Sequence, residues 1–136
     1  MASTANFAAS KLFSVKGLTA FVTGGGTGID LMATQDNASK AAAVHLTRLL
    51  ATEFAYTAVR VNTIAPGPFP SEMTRDSADE RNKFDPKTLN IPAGRAGDDK
   101  SMGGTFLYLA SRAGQYTNGA IIPLDGGALL TNPSAY

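Results

Sequence analysis

Thr23-Gly24-Gly25-Gly26-Thr27-Gly28-Ile29 follows an apolar run directly. Glycines at this spacing let a backbone turn tightly and approach a pyrophosphate, and a helix that starts there offers free N–H groups and its positive dipole end. That chemistry is dinucleotide binding. Two carboxylates stand just beyond the loop, Asp30 and Asp36. Asp30 has the same sign as pyrophosphate, a repulsion of about 1–4 kcal/mol at close range; an aspartate in a first helical turn is otherwise favourable. Either carboxylate could serve as a base in a pocket that raises its pKa. His45 is the sole histidine and there is no cysteine, so neither a thiolate nor a histidine-cluster metal site can form.

These residues need elements to position them. Residues 1–15 read as a loose arm with a short helical turn near Ala8 to Phe13, and Lys16-Gly17 as a turn. Leu18 to Thr23 is short, apolar and ended by glycines, so it predicts a buried strand. Ala42, Leu46, Leu49, Leu50 and Phe54 recur at helical spacing and predict one buried face. That helix either starts at Asp36 or Asn37 as a cap, or runs unbroken from about Gly28 to Phe54, about 40 Å. Val59 to Ile64 alternates and predicts a second strand, ended by Pro66-Gly67-Pro68. Ser71 to Leu89 reads as a polar surface segment. Asp98 caps a helix over Lys100 to Ser111, ended at Gly114. Ala120 to Leu124 predicts a third strand, closed by Asp125-Gly126-Gly127. Strands separated by helices argue for a parallel α/β sheet in one domain spanning 1–136.

Several stretches in order resemble the short-chain dehydrogenase/reductase family. They are the glycine loop, Asn37-Ala38-Ser39-Lys40-Ala41-Ala42, Arg60-Val61-Asn62-Thr63-Ile64-Ala65-Pro66-Gly67, Arg95-Ala96-Gly97, Leu107-Tyr108-Leu109-Ala110-Ser111 and Asp125-Gly126-Gly127. The resemblance covers nearly all the chain from Phe13 onward. It implies a reduced Rossmann-like fold of two or three layers, with a small parallel sheet near 18–23, 59–64 and 120–124. It also implies an NAD- or NADP-dependent oxidoreductase ancestry. Thr23, Gly24, Gly28 and Ile29 would meet the pyrophosphate, Lys40 a ribose hydroxyl, and Pro66-Gly67 the nicotinamide.

The family pattern is also broken. Full-length members are nearly twice as long, and the block expected between Gln35 and Asp36 is missing, with its cofactor-selecting residue and catalytic serine. The family's catalytic tyrosine stands four residues before the lysine; here that place is Asp36. A carboxyl with a pKa near 4 has no proton to give at neutral pH. Asp30 stands at the loop's third glycine. Tyr56 and Tyr108 each precede an arginine by four residues, Arg60 and Arg112, but in other contexts. The expected protein therefore lacks normal hydride transfer.

Twelve basic against eleven acidic residues suggests neither nucleic acid nor an anionic surface as partner, and no apolar run is long enough to span a bilayer. The first fifteen residues lack a secretory pattern, so a cytoplasmic location is expected. With right-handed crossovers, both connecting helices fall on one face of the sheet and leave the other bare. A bare apolar face predicts association, with a second copy or with a full-length relative. Three further functions stay open: a non-catalytic module, a non-redox enzyme using Asp36 or Asp30, and the product of an aberrant deletion.

Overall fold

The computed structural model describes residues 8–23, 34–70 and 90–131, and for residues 34–38 the helix path alone. Four α-helices and two strands follow in the order α1 (Ala9–Leu12), α2 (Thr34–Glu53), β1 (Thr63–Pro66), α3 (Asp99–Ala110), a 3₁₀ turn (Arg112–Gly114), β2 (Ile121–Leu124) and α4 (Ala128–Thr131). β1 and β2 pair in parallel, Thr63 opposite Ile121 and Pro66 opposite Leu124. The α/β class and the parallel sheet are as the resemblance implies.

Both strands contain a proline, and the register shows why it is tolerated. The N–H groups of Thr63 and Gly67 donate to the Ala120 and Leu124 carbonyls at 2.8 and 3.0 Å. Alternate residues bond across a parallel pair, so Pro66 lies between donors, facing away from β2. Pro123 likewise lies beside the bonded positions. Neither missing N–H is subtracted from the ladder. Pro66 was expected to end the strand before it; instead it is the last residue of β1.

The second strand begins later than its alternation predicts. Arg60, Val61 and Asn62 are committed to the loop before β2 instead. Val61 N–H donates to Asn118 Oδ1 at 2.9 Å, and Gly119 N–H to the Val61 carbonyl at 2.8 Å. Asn62 donates to the Thr117 carbonyl and accepts from Ala120 N–H, both at 3.0 Å. Arg60 donates to the carbonyls of Leu109, Gly114 and Thr117 at 2.6, 2.8 and 3.2 Å. These side-chain bonds hold the two chains together up to the point where the ladder takes over at Thr63.

The strand expected at 18–23 does not form. A strand needs a neighbour for its N–H and C=O groups, and among the described residues the sheet contains β1 and β2 alone. Phe21 is 92% exposed and Leu18 and Val22 are exposed as well. The short helical turn of the arm is present as α1, and Gly17 takes φ +78° in the following turn.

α2 is described over Thr34–Glu53, so Asp36 and Asn37 lie within the helix; the alternative start near Gly28 lies outside the described residues. Its buried face is also not the one its leucines predict. Thr47 and Ala51 are buried; Ala42, Leu46, Leu49 and Phe54 are exposed. Thr47 tolerates burial because its hydroxyl bonds both the Ala43 carbonyl and the Thr63 hydroxyl. Periodicity marks an apolar stripe but not which side a short sheet can cover.

α3 fits its prediction closely. Asp98 Oδ1 accepts the Ser101 N–H at 2.8 Å, and Ser111, 1% exposed, caps the 3₁₀ turn through Ala113 N–H. Gly114 is buried where a Cβ would strike the α3 C-terminus. Asp125 accepts Gly127 N–H and Leu129 N–H at 2.9 Å each and so begins α4. Ile91 and Ala51 are the buried apolar residues among those described.

Arg60→Ala should lower unfolding stability by roughly 3 kcal/mol, since three carbonyls lose a charged donor. Arg60→Lys should recover less than half, because an ammonium cannot span the fork. Urea unfolding at one fixed chain concentration checks both.

Candidate functional site

In open α/β sheets, ligands bind beyond the carboxyl ends of the strands. Here that edge is built from Pro66-Gly67-Pro68-Phe69 after β1 and Asp125-Gly126 after β2. Gly67 lies so close to Asp125 that a Cβ there would overlap the Asp125 backbone. The Gly97 N–H donates to the Pro68 carbonyl at 3.1 Å, and the Phe69 ring lies where a Cβ on Gly97 would be. A cleft of about 120 Å³ opens among Phe69, Arg95, Gly97, Ser101, Leu124 and Gly126.

Lys40 is exposed on α2. It precedes Thr47 by two turns, hence lies on the same helix face about 10 Å along the axis. The direction follows from two contacts. Asn118, ahead of β2, donates to the Ala51 carbonyl at 3.4 Å, and Thr47 meets Thr63 at the start of β1. α2 therefore runs against the strands. At about 3.3 Å per strand residue, Lys40 stands level with the Pro66-Gly67 turn, three residues beyond Thr63. The register fixes the height of Lys40 along the sheet, while Gly67 packs against Asp125. Asp36 is one turn further along the same helix.

Other predicted residues fall elsewhere. Thr23 is exposed and in no strand. Gly24, Gly28, Ile29 and Asp30 lie outside the described residues, as does the segment from Ser71 to Leu89. His45 is exposed. Tyr56 is fully exposed, while the Tyr108 hydroxyl bonds Thr117 Oγ1 at 2.7 Å; neither borders the strand-end cleft. Among the described residues, no group of three or more His, Cys, Asp or Glu could hold a metal, and no helix is long and apolar enough to cross a membrane.

The part of this edge that sequence reasoning missed is Phe69 with Ser101. Phe69 follows a double-proline turn whose direction only the fold reveals. Ser101 had a readable signal, the three-residue spacing from Asp98 that lets a hydroxyl and an N–H share one carboxylate. Arg95 joins the same cluster, 3.2–3.3 Å from Ser101 Oγ and 3.8 Å from Asp98.

The Ser101 hydroxyl and N–H hold the Asp98 carboxyl below the usual carboxylate range, with smaller help from Arg95 and Lys100. A pKa lowered by folding stabilises the folded chain above the unfolded value, near 3.9, and this support is lost as pH falls through the lower folded value. The protection of amides in the first turn of α3, taken relative to their intrinsic exchange rates, should therefore fall below about pH 4, and Asp98→Asn should remove that dependence.

Residues 8–129 match the family described as enoyl-(acyl carrier protein) reductase. The chain is 44% identical over 112 residues to the short-chain dehydrogenase/reductase VdtF of Byssochlamys spectabilis, covering 82% of this chain and 36% of that protein. It is 44% identical over 89 residues to the rhamnolipids biosynthesis 3-oxoacyl-[acyl-carrier-protein] reductase of Pseudomonas aeruginosa, covering 65% of this chain and 35% of that one. Among solved structures it resembles the Pseudomonas aeruginosa RhlG/NADP active-site complex, with TM-score 0.64 and 39% identity over 75% of this chain and 41% of that one. A 2-deoxy-D-gluconate 3-dehydrogenase structure from Agrobacterium tumefaciens with bound NADP gives TM-score 0.60 and 39% identity over 68% and 38%. The chain thus spans little more than a third of the length of these curated relatives. By this match over most of its residues, it belongs to the short-chain dehydrogenase/reductase family.

Proposed function

We propose that this chain keeps part of the cofactor side of an NAD(P)-dependent oxidoreductase and does not carry out ordinary hydride transfer. The observation that carries this reading is Asp36, four residues before Lys40 on an unbroken helix. A bound nicotinamide supplies or accepts the hydride. Around it, the Lys40 ammonium is suited to a ribose hydroxyl, and the Pro66-Gly67 turn to the nicotinamide amide. What is lacking is the acid that protonates the developing alkoxide. A carboxyl of ordinary pKa is about one part in a thousand protonated at pH 7, and general acid catalysis is worth about 10²–10⁴-fold. The NADP-bound relatives support NADP or NAD as the ligand class.

Calorimetric titration with NADPH and NADH tests the binding half. Absorbance loss of the reduced cofactor with a range of ketones tests the other. Turnover at least about 10³-fold below that of a full-length relative is expected. A rate within tenfold of such a relative would overturn the reading, and absence of heat at millimolar cofactor would retire its cofactor-binding half.

A second reading rests on a separate observation. Leu46 and Leu49 are each about half exposed on α2, Phe106 and Leu107 are exposed on α3, and little apolar surface is buried. Such faces support association with a second copy or with a full-length relative in the cytoplasm. Light scattering at micromolar concentration should give a mass of at least two chains, and Leu46→Asp with Leu49→Asp should lower it. A monomer at all concentrations would remove self-association.

A further inference from the structure

A second cleft lies away from the strand ends, where α1 packs against the 3₁₀ turn after α3. Its volume is about 420 Å³, and its walls are Ser10, Lys11, Leu12, Ser14, Arg112 and Gln115. The lining holds two cations, two hydroxyls and an amide, and no carboxylate. Among the described residues neither Lys11 nor Arg112 makes an ion pair or a side-chain hydrogen bond. Two like charges on one concavity repel each other, and the opposite charge that would relieve them is absent from its walls. Arg112 brings a planar fork suited to two oxygens of a tetrahedral anion, and Lys11 a mobile point charge. Ser10, Ser14 and Gln115 add neutral donors around the rim.

We propose that this cleft is an anion site that takes the phosphate group of a small soluble molecule, between Lys11 and Arg112. The opening leaves room for a carrier of several atoms beyond the phosphate, and Leu12 offers it an apolar wall. This site is independent of the dinucleotide reading, since none of its residues belongs to the glycine loop, to α2 or to the Pro66-Gly67 turn.

The test is a titration of the full chain with inorganic phosphate, followed by amide chemical shifts and run against chloride at matched ionic strength. Saturable shifts at Ser10 to Ser14 and Arg112 to Gln115, absent with chloride, are expected. Lys11→Ala and Arg112→Gln should each weaken binding about tenfold, and the double variant should abolish it. Both side chains are exposed, so neither change disturbs packing, and unchanged spectra elsewhere verify this. Lack of saturation up to about 10 mM phosphate, equal shifts with chloride, or binding that survives the double variant would each overturn the proposal. The last result would place the anion elsewhere, the glycine loop included.

Discussion

Everything around the small sheet depends on one guanidinium. Arg60 stands just before β1 and reaches the last carbonyls of α3, the 3₁₀ turn and the loop before β2 at once. Helix ends leave carbonyls without partners, and a cation there meets both the unpaired groups and the negative dipole end. One side chain thus ties the approach to β1, the end of α3 and the approach to β2. Asn62 and Asn118 extend the same arrangement, the second reaching α2 through Ala51. Among the described residues, where Ala51 and Ile91 are the buried apolar ones, polar geometry sets how these elements meet. Unpaired, each of these carbonyls would cost more than the bond itself contributes.

That scaffold determines what the strand ends can do. Thr47 and Thr63 lock α2 against β1, and the lock sets the height of Lys40 on the helix. Lys40 therefore stands near the level of the Pro66-Gly67 turn, some 26 residues away in the chain. The same helix carries Asp36 one turn away, where the family has a tyrosine. The strand-end cleft, closed by Phe69 over Gly97, is built from segments that α3 and β2 hold in place.

Local signals in the sequence were reliable where the responsible partner was also local. Asp98 as a helix cap, Gly17 in its turn and Asp125 with its two glycines closing β2 all act within a few residues and appear as read, although Asp125 also begins α4. β2 ends at Leu124 as read and starts one residue later, at Ile121. Legibility ended where partners are distant. Leu18 to Thr23 has the composition of a strand but no neighbour among the described residues to bond with. Leu46 and Leu49 have the spacing of a buried face, yet Thr47 meets β1 and Ala51 the loop before β2. Arg60 and Asn62 look like alternate residues of a strand, and only the loop near Thr117 shows that they hold a different contact. Of the strand-end edge, the Pro66-Gly67 turn was legible as a turn from its motif, whereas Phe69 required the fold.

The two strand prolines have a consequence for solubility. A two-stranded sheet has two open flanks, and each is a template on which another chain can add by backbone pairing. On one flank Pro66 supplies an acceptor without a donor, and on the other Pro123 does the same. An incoming strand meets a gap in the ladder on either side. Edge-to-edge stacking of the kind that builds cross-β fibres is thereby obstructed. The apolar side chains exposed on its helices thus lie apart from backbone edges that could seed fibrils.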